Sequence, residues 1–480
     1  MCLTVNWCLQ ETDMNEEICY ASASELAEKI RSKTLSPVEV VQAHLDRIDA
    51  LNPRLNAIVT FAEDATDRAK EAEGAVMRGE DLGPLHGVPY TLKDCVEVSG
   101  MRTTQGSRLF ADFVSRQDAT VYKRLKGAGG ILLGKTNLPE FALWWETDNL
   151  VFGPTHNPWN LERTTGGSSG GEAAAIVTGL SPLGVGTDLG GSIRQPSSFC
   201  GLAGLKPTLG RVAFTGIQPQ TLLRATHAGP IARTVQDVAL GLSILAGPDG
   251  VDIYAPPVPV PDYTALDGPL PRLKIGWSPT GGTFVEKEVQ EVVRSAADAL
   301  SGLGLEVEPV EIPALKENDA GLISSVIYVT EGSLYLSAIV SGRESDLTPL
   351  LRQRYVDSPP KEFDEYLQAT FEWEALRWGV AEYFTRYDLF LCPTVPMPAF
   401  PKGQTEFIID GQTLPGRHSL RSTVPWDLTG SPAMSVPFGW SSEGLPIGVQ
   451  LVGRHFDEHT LLKVAKALES CQGDRRRPPI

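Results

Sequence analysis

Positive charge, patterned cysteine and long apolar runs are all scarce in this sequence, and each scarcity removes a class of function. Lysine and arginine number 42 against 59 aspartates and glutamates, a formal net charge of −17. A nucleic-acid partner needs clustered cations to neutralise phosphates, so that balance argues against one. The single basic run, Arg475-Arg476-Arg477, sits in a Pro-ended tail and reads as a solvated terminus. Cysteine is limited to seven scattered residues, Cys2, Cys8, Cys19, Cys95, Cys200, Cys392 and Cys471, with no CxxC pair. Neither a disulfide framework nor a zinc site is implied, and a reducing, cytoplasmic setting fits. No uninterrupted apolar run approaches the roughly 18 residues of a membrane span, so no membrane is expected as a partner. The N-terminus shows no positive region leading into an apolar stretch, and no secretory signal is read there.

What is present is an ordinary globular composition, 42% hydrophobic and 21% charged, with ample material for a large core. Residues 1–19 carry three of the cysteines and little periodicity, and read as a poorly ordered extension to a domain over 20–480. That domain opens with a helical segment reaching to about residue 80. Ser22-x-x-Glu25 is a capping box followed by Leu26 and Ile30 at helical spacing. Ser36-Pro37-Val38-Glu39 repeats the signal with proline at the first helical position. Its face of Val41, His44, Leu45 and Ile48 ends near Asn52-Pro53. A polar, alanine-rich helix follows over roughly 62–79.

From Leu85 onward short apolar runs alternate with helical patterns. Gly87–Leu92 and Ile131–Leu133 stand against 118–127, and Leu273–Trp277 against 285–303. A proline-stiffened surface crossover is read over 252–272, and a helical region over 315–385. Strands return at Leu389–Leu391, Ala433–Pro437 and Ile447–Val452, before a final helix near 458–469. This alternation argues for an α/β sheet under helical cover, and strands at both ends of the chain argue for one large domain.

Two short motifs match their patterns and fail on context. Gly129 to Thr136 satisfies G-x-x-x-x-G-K-[ST], but its variable positions read as a buried strand rather than an exposed phosphate cradle. Pro139 stands where the required helix should already be running. Gly167-Ser168-Ser169-Gly170-Gly171 satisfies G-x-S-x-G, the nucleophile elbow of α/β-hydrolase esterases. That mechanism needs an acid and then a histidine downstream. His227, His418, His455 and His459 are available, none in a segment shaped for catalysis, and the reading stays as an alternative.

Three other segments carry chemistry together. Lys93 ends the apolar run Gly87–Leu92, where a lone lysine would ordinarily snorkel to solvent. Thr165-Gly166-Gly167-Ser168-Ser169-Gly170-Gly171-Glu172 opens a helix of small residues. Gly186-Thr187-Asp188-Leu189-Gly190-Gly191-Ser192-Ile193-Arg194 repeats the order of strand, glycine turn and serine. A serine hydroxyl is a poor nucleophile until a base takes its proton. A lysine does so near neutral pH only where burial disfavours its ammonium form.

With Lys135-Thr136-Asn137, Asn157-Pro158-Trp159, Gly204–Thr208 and Gly430-Ser431-Pro432-Ala433, the chain from about residue 20 to 470 closely resembles the amidase signature family of serine hydrolases. The resemblance implies one large α/β domain with a central mixed β-sheet covered by helices on both faces. It implies a Ser-Ser-Lys triad, with Ser192 the nucleophile that forms the acyl-enzyme and Lys93 the base. Ser168 would bridge the two, after a cis Gly167–Ser168 peptide bond. Backbone N–H groups of Leu189, Gly190, Gly191 and Ser192 would receive the oxyanion. No cofactor and no metal are implied. Asp188, Arg194 and Ser169 are read as groups that buttress these loops.

By the family pattern the substrate channel is lined by residues shortly after Asn137, here Ala142, Leu143, Trp144 and Trp145, with Phe152 further on. Two adjacent tryptophans at a loop position are hard to bury together, so an apolar or aromatic group is expected on the substrate. Aryl amides, carbamates (urethanes) and some esters are all accessible to the same triad, acting on a small molecule as monomer or homodimer. The alternative is the glutaminase subunit of a tRNA-dependent amidotransferase, working only in a complex. That role needs a charged clamp for glutamine's carboxylate and amino groups, and no such partners are evident around Asp427 to Pro432.

Overall fold

The computed structural model describes residues 15–80, 82–358, 361–473 and 475–480. In chain order its strands are β1 (Ile58–Phe61), β2 (Pro89–Lys93), β3 (Ile131–Thr136), β4 (Leu183–Asp188), β5 (Ala203–Lys206), β6 (His227–Ala232), β7 (Lys274–Trp277), β8 (Glu306–Pro309), β9 (Leu389–Pro393), β10 (Glu406–Ile409), β11 (Gln412–Pro415), β12 (Ala433–Trp440) and β13 (Pro446–Gly453). Eleven of them form one mixed sheet flanked by helices, ordered β1-β3-β2-β4-β6-β5-β12-β13-β9-β7-β8. The chain is a single α/β domain of this kind, as its sequence suggested.

The site is positioned by the parallel trio β3-β2-β4. Every residue of these three strands is buried, which is why they read as unbroken apolar runs instead of alternating ones. Because they run the same way, their C-terminal ends reach one edge of the sheet, where Lys93 lies beside Thr136 and β4 ends at Asp188. Two helices buried along their whole length follow the serines: Gly170–Val177 after Ser168, and Arg194–Cys200 after Ser192. On the far side of the site, the helix Ala320–Val340 packs against Phe363–Tyr383. By length and composition Ala320–Val340 is apolar enough to cross a bilayer. In the fold, its Ile323, Ile327 and Leu336 lie in the core.

Several expectations need correction. Residues 15–20 are helical with Ile18 and Cys19 buried, so the packed body begins before residue 20. Residues 1–14, with Cys2 and Cys8, lie outside the described residues. The helix Pro37–Leu55 runs through Pro53, and just past its end the Asn52 side chain accepts from the N–H groups of Ala57 and Ile58. The basic tail folds back. Arg476 lies over the Trp440 ring at 4.5 Å and Arg477 over Tyr20 at 4.1 Å, two cation–π contacts that an isolated run of arginines does not announce.

Candidate active site

Lys93 is fully buried at the end of β2. Its Nζ donates to Ser168 Oγ at 2.6 Å and to Thr187 Oγ1 at 2.8 Å. Burial lowers its pKa to about 8, against the opposing pull of Asp188 and Glu172. Below it, Glu172 is held between two strands, accepting from the hydroxyls of Thr91 on β2 and Thr136 on β3. Burial raises that carboxyl to about 7. The Gly167–Ser168 peptide bond is cis. Ser169 donates its N–H to the Ser192 carbonyl at 3.2 Å, tying the two serine turns together, and its hydroxyl points to the Thr187 carbonyl at 3.4 Å.

The turn after β4 is built around one carboxylate. Asp188 accepts from the N–H of Gly191 at 2.5 Å, from that of Ile193 at 3.1 Å, and from the Arg194 guanidinium at 2.9 and 3.0 Å. Burial works to raise its pKa, but Arg194 outweighs it and holds the carboxyl below its ordinary range. Arg194 is itself fully buried and reaches on to Asp427 at 2.7 Å, Gln450 at 2.9 Å and the Thr423 carbonyl at 2.9 Å. Burial pushes the Asp427 carboxyl well up, against the pull of Arg194. The N–H groups of Leu189, Gly190 and Ser192 meet no protein acceptor among the described residues. Gly191 departs from the expected donor set of four, because its N–H is already committed to Asp188.

Ser192 stands where two recesses meet. The smaller is lined by Ser168, Thr187, Phe141, Phe214, Pro219 and Thr226. The larger runs past Ala142, Leu143, Trp144, Trp145, Leu189 and Gly190 to Tyr328 and Tyr355. Ala142, Leu143, Trp144 and Trp145, the four residues expected at a substrate channel, thus share the wall of this recess. The tryptophans do so as a stacked pair, centroids 3.4 Å apart at 27°. Phe152 does not join them and instead packs under the Arg102 guanidinium at 5.2 Å.

A family model described as Amidase matches residues 39–462. The chain belongs to the amidase family. This amidase is 39% identical to a glutamyl-tRNA(Gln) amidotransferase subunit of Moorella thermoacetica, covering 97% of this chain and 99% of that one. It is 37% identical to an acylamidase of Rhodococcus erythropolis, covering 95% of this chain and 96% of the relative. Among solved structures, that of a bacterial aryl acylamidase of the amidase signature family matches with a TM-score of 0.85 and 31% identity, over 94% of this chain and 96% of that one. The chain is thus a hydrolase of carbon–nitrogen bonds.

The amidase fold also disposes of the two motifs that failed on context. The P-loop-like stretch is the buried strand β3, and its Lys135 pairs with Asp94 at 3.0 Å. The esterase elbow lacks its histidine among the described residues. His227 faces the Asp188 carbonyl and Asp427, His418 the Phe284 carbonyl and His455 the Thr429 carbonyl, and none bonds Ser168. Three residues at the site had gone unread: Thr187 on the lysine, and Arg354 and Arg417 in the larger recess. Thr187 lies in the segment already singled out; the arginines come from two short helical turns, Gln353–Asp357 and Gly416–Leu420, with no shared pattern.

Proposed function

We propose that this amidase cleaves carboxylic amides through a Lys93–Ser168–Ser192 relay and an acyl-enzyme. The observation carrying the proposal is the 2.6 Å contact between the buried Lys93 Nζ and Ser168 Oγ, in a recess that Ser192 shares. In its neutral form Lys93 takes the Ser168 proton while Ser168 takes that of Ser192, whose Oγ attacks the carbonyl carbon. The oxyanion meets the uncommitted N–H groups of Leu189, Gly190 and Ser192, fixed in place by the Asp188 turn. As the C–N bond breaks, the proton returns through Ser168 to the departing nitrogen. Water then attacks the ester through the same relay and frees the acid. Carbamates and esters offer the same carbonyl to the same groups.

The test is Ser192→Ala, assayed on a small aryl amide with folding checked by circular dichroism. Turnover should fall by about 10³-fold or more. A folded variant with undiminished turnover would place the nucleophile elsewhere. A glutaminase role within a complex is the second reading, favoured by the 39% identity to a tRNA-dependent amidotransferase component. Against it, no aspartate or glutamate among the described residues lines the larger recess to receive an α-ammonium group.

A further inference from the structure

The recess beside Ser192 carries more positive charge than a neutral amide has use for. Three guanidiniums line it: Arg354, Arg417 and Arg421. Arg421 is neutralised, since both its terminal nitrogens donate to Asp319, and it lies so flat on Gly321 that a Cβ there would overlap it. The other two have no carboxylate partner among the described residues. Arg417 donates to the Ser325 hydroxyl at 2.8 Å, and Arg354 sits over the Tyr355 ring at 5.5 Å. Burial, with the Arg354 and Arg421 charges added to it, lowers the pKa of Arg417. Arg354 is half-buried and Arg417 exposed at the mouth of the recess, and two like charges gathered there are relieved when an anion joins them.

The relay decides which end of the substrate lies there. The departing nitrogen collects its proton from Ser168, so it faces the smaller recess of Ser168, Thr187, Phe214 and Pro219. The acyl group is left with the larger one. Besides the guanidiniums its lining is largely apolar, with Leu143, Trp144, Leu420 and Val424.

We infer that the preferred substrate is an amide whose acyl chain ends in a carboxylate, seated on Arg354 and Arg417. The inference rests on the relay proposed above for the orientation of the substrate. An apolar spacer joins the carbonyl to the carboxylate, and the guanidinium fork suits the planar anion. The same charges turn a zwitterion away. Glutamine's α-ammonium would meet two cations and no acid, whereas glutaric acid monoamide, the same molecule without its amino group, avoids that repulsion.

Steady-state turnover of the dicarboxylic monoamides from succinic to suberic, each against the neutral alkanamide of equal length, tests this directly. At the best length kcat/KM should favour the anion by about tenfold or more, and glutaric monoamide should outrun glutamine. The Arg354→Gln, Arg417→Gln double variant should bring the anion-to-neutral ratio close to one. A ratio near one in the unsubstituted enzyme, or a ratio unmoved by the double substitution, overturns the inference. Calorimetric titration of the Ser192→Ala protein with the same monoamides separates this from the relay. Binding that disappears when Arg354 and Arg417 are also replaced supports the clamp even if the relay is misassigned. Binding indifferent to those replacements, or absent across the series, overturns it even if the relay stands.

Discussion

A lysine at the end of an apolar strand is ordinarily a surface lysine, and Lys93 becomes something else through its neighbours. It has no exposed surface, and it spends two hydrogen bonds on hydroxyls, Ser168 and Thr187, instead of on a carboxylate that would keep it charged. Its pKa of about 8 then sets the sign of the pH dependence. In the proposed relay the neutral amine is the base, so kcat/KM for a non-ionising amide should climb with rising pH and level off above a midpoint near 8. Lys93→Ala should lose about 10²–10⁴-fold in rate and lose that limb as well. A variant that keeps the limb would show that another group titrates. At this scale the two serines and the lysine were legible, because glycine turns around serine leave a local signature. The commitment of the Gly191 N–H was not. It depends on the loop curling so that Gly191, three residues on, donates to the Asp188 carboxylate, a matter of torsion angles that residue types do not spell out.

Among the elements, the seam between β2, β3, β4 and the helix Gly170–Val177 bears most on the site. Glu172 in the first turn of that helix bonds two strands at once, and it fits only because Gly184 on β4 has no side chain: a Cβ there would overlap its carboxylate. Gly184→Ala should therefore cost about 1–3 kcal/mol of stability by overpacking, read as a lowered melting temperature. Because the displaced helix begins two residues after Ser168, amide turnover should fall with it. An unchanged melting temperature would mean that Glu172 moves aside freely. The buried strands of this seam were readable as apolar runs, but β6 was not. His227–Ala232 is fully buried between β4 and β5, yet it is built of small residues with Pro230 in its middle, and proline in a central strand argues against a strand. The edge strand β1 escaped for the opposite reason, being four residues long and mostly half-exposed. The recess arginines escaped because Arg354 and Arg417 are brought together only by folding, from short helical turns far apart in sequence.

Across the whole molecule, the groups of the proposed relay and oxyanion site and both recesses come from one chain. The purified polypeptide should accordingly hydrolyse a small amide with no other protein present, with activity following its own peak in size-exclusion chromatography. Activity that appears only when another polypeptide is added would favour a role within a complex. The Arg194 network has a consequence in time as well as in space. Lys93, Ser168 and Ser192 all leave the ribosome in the first half of synthesis, but Asp427 and Gln450, which hold the guanidinium behind the oxyanion turn, follow 233 and 256 residues after Arg194. For much of its translation the nascent chain therefore lacks two of the groups that hold Arg194 behind the Asp188 turn, and on the proposed relay hydrolytic competence should be among the last properties it acquires.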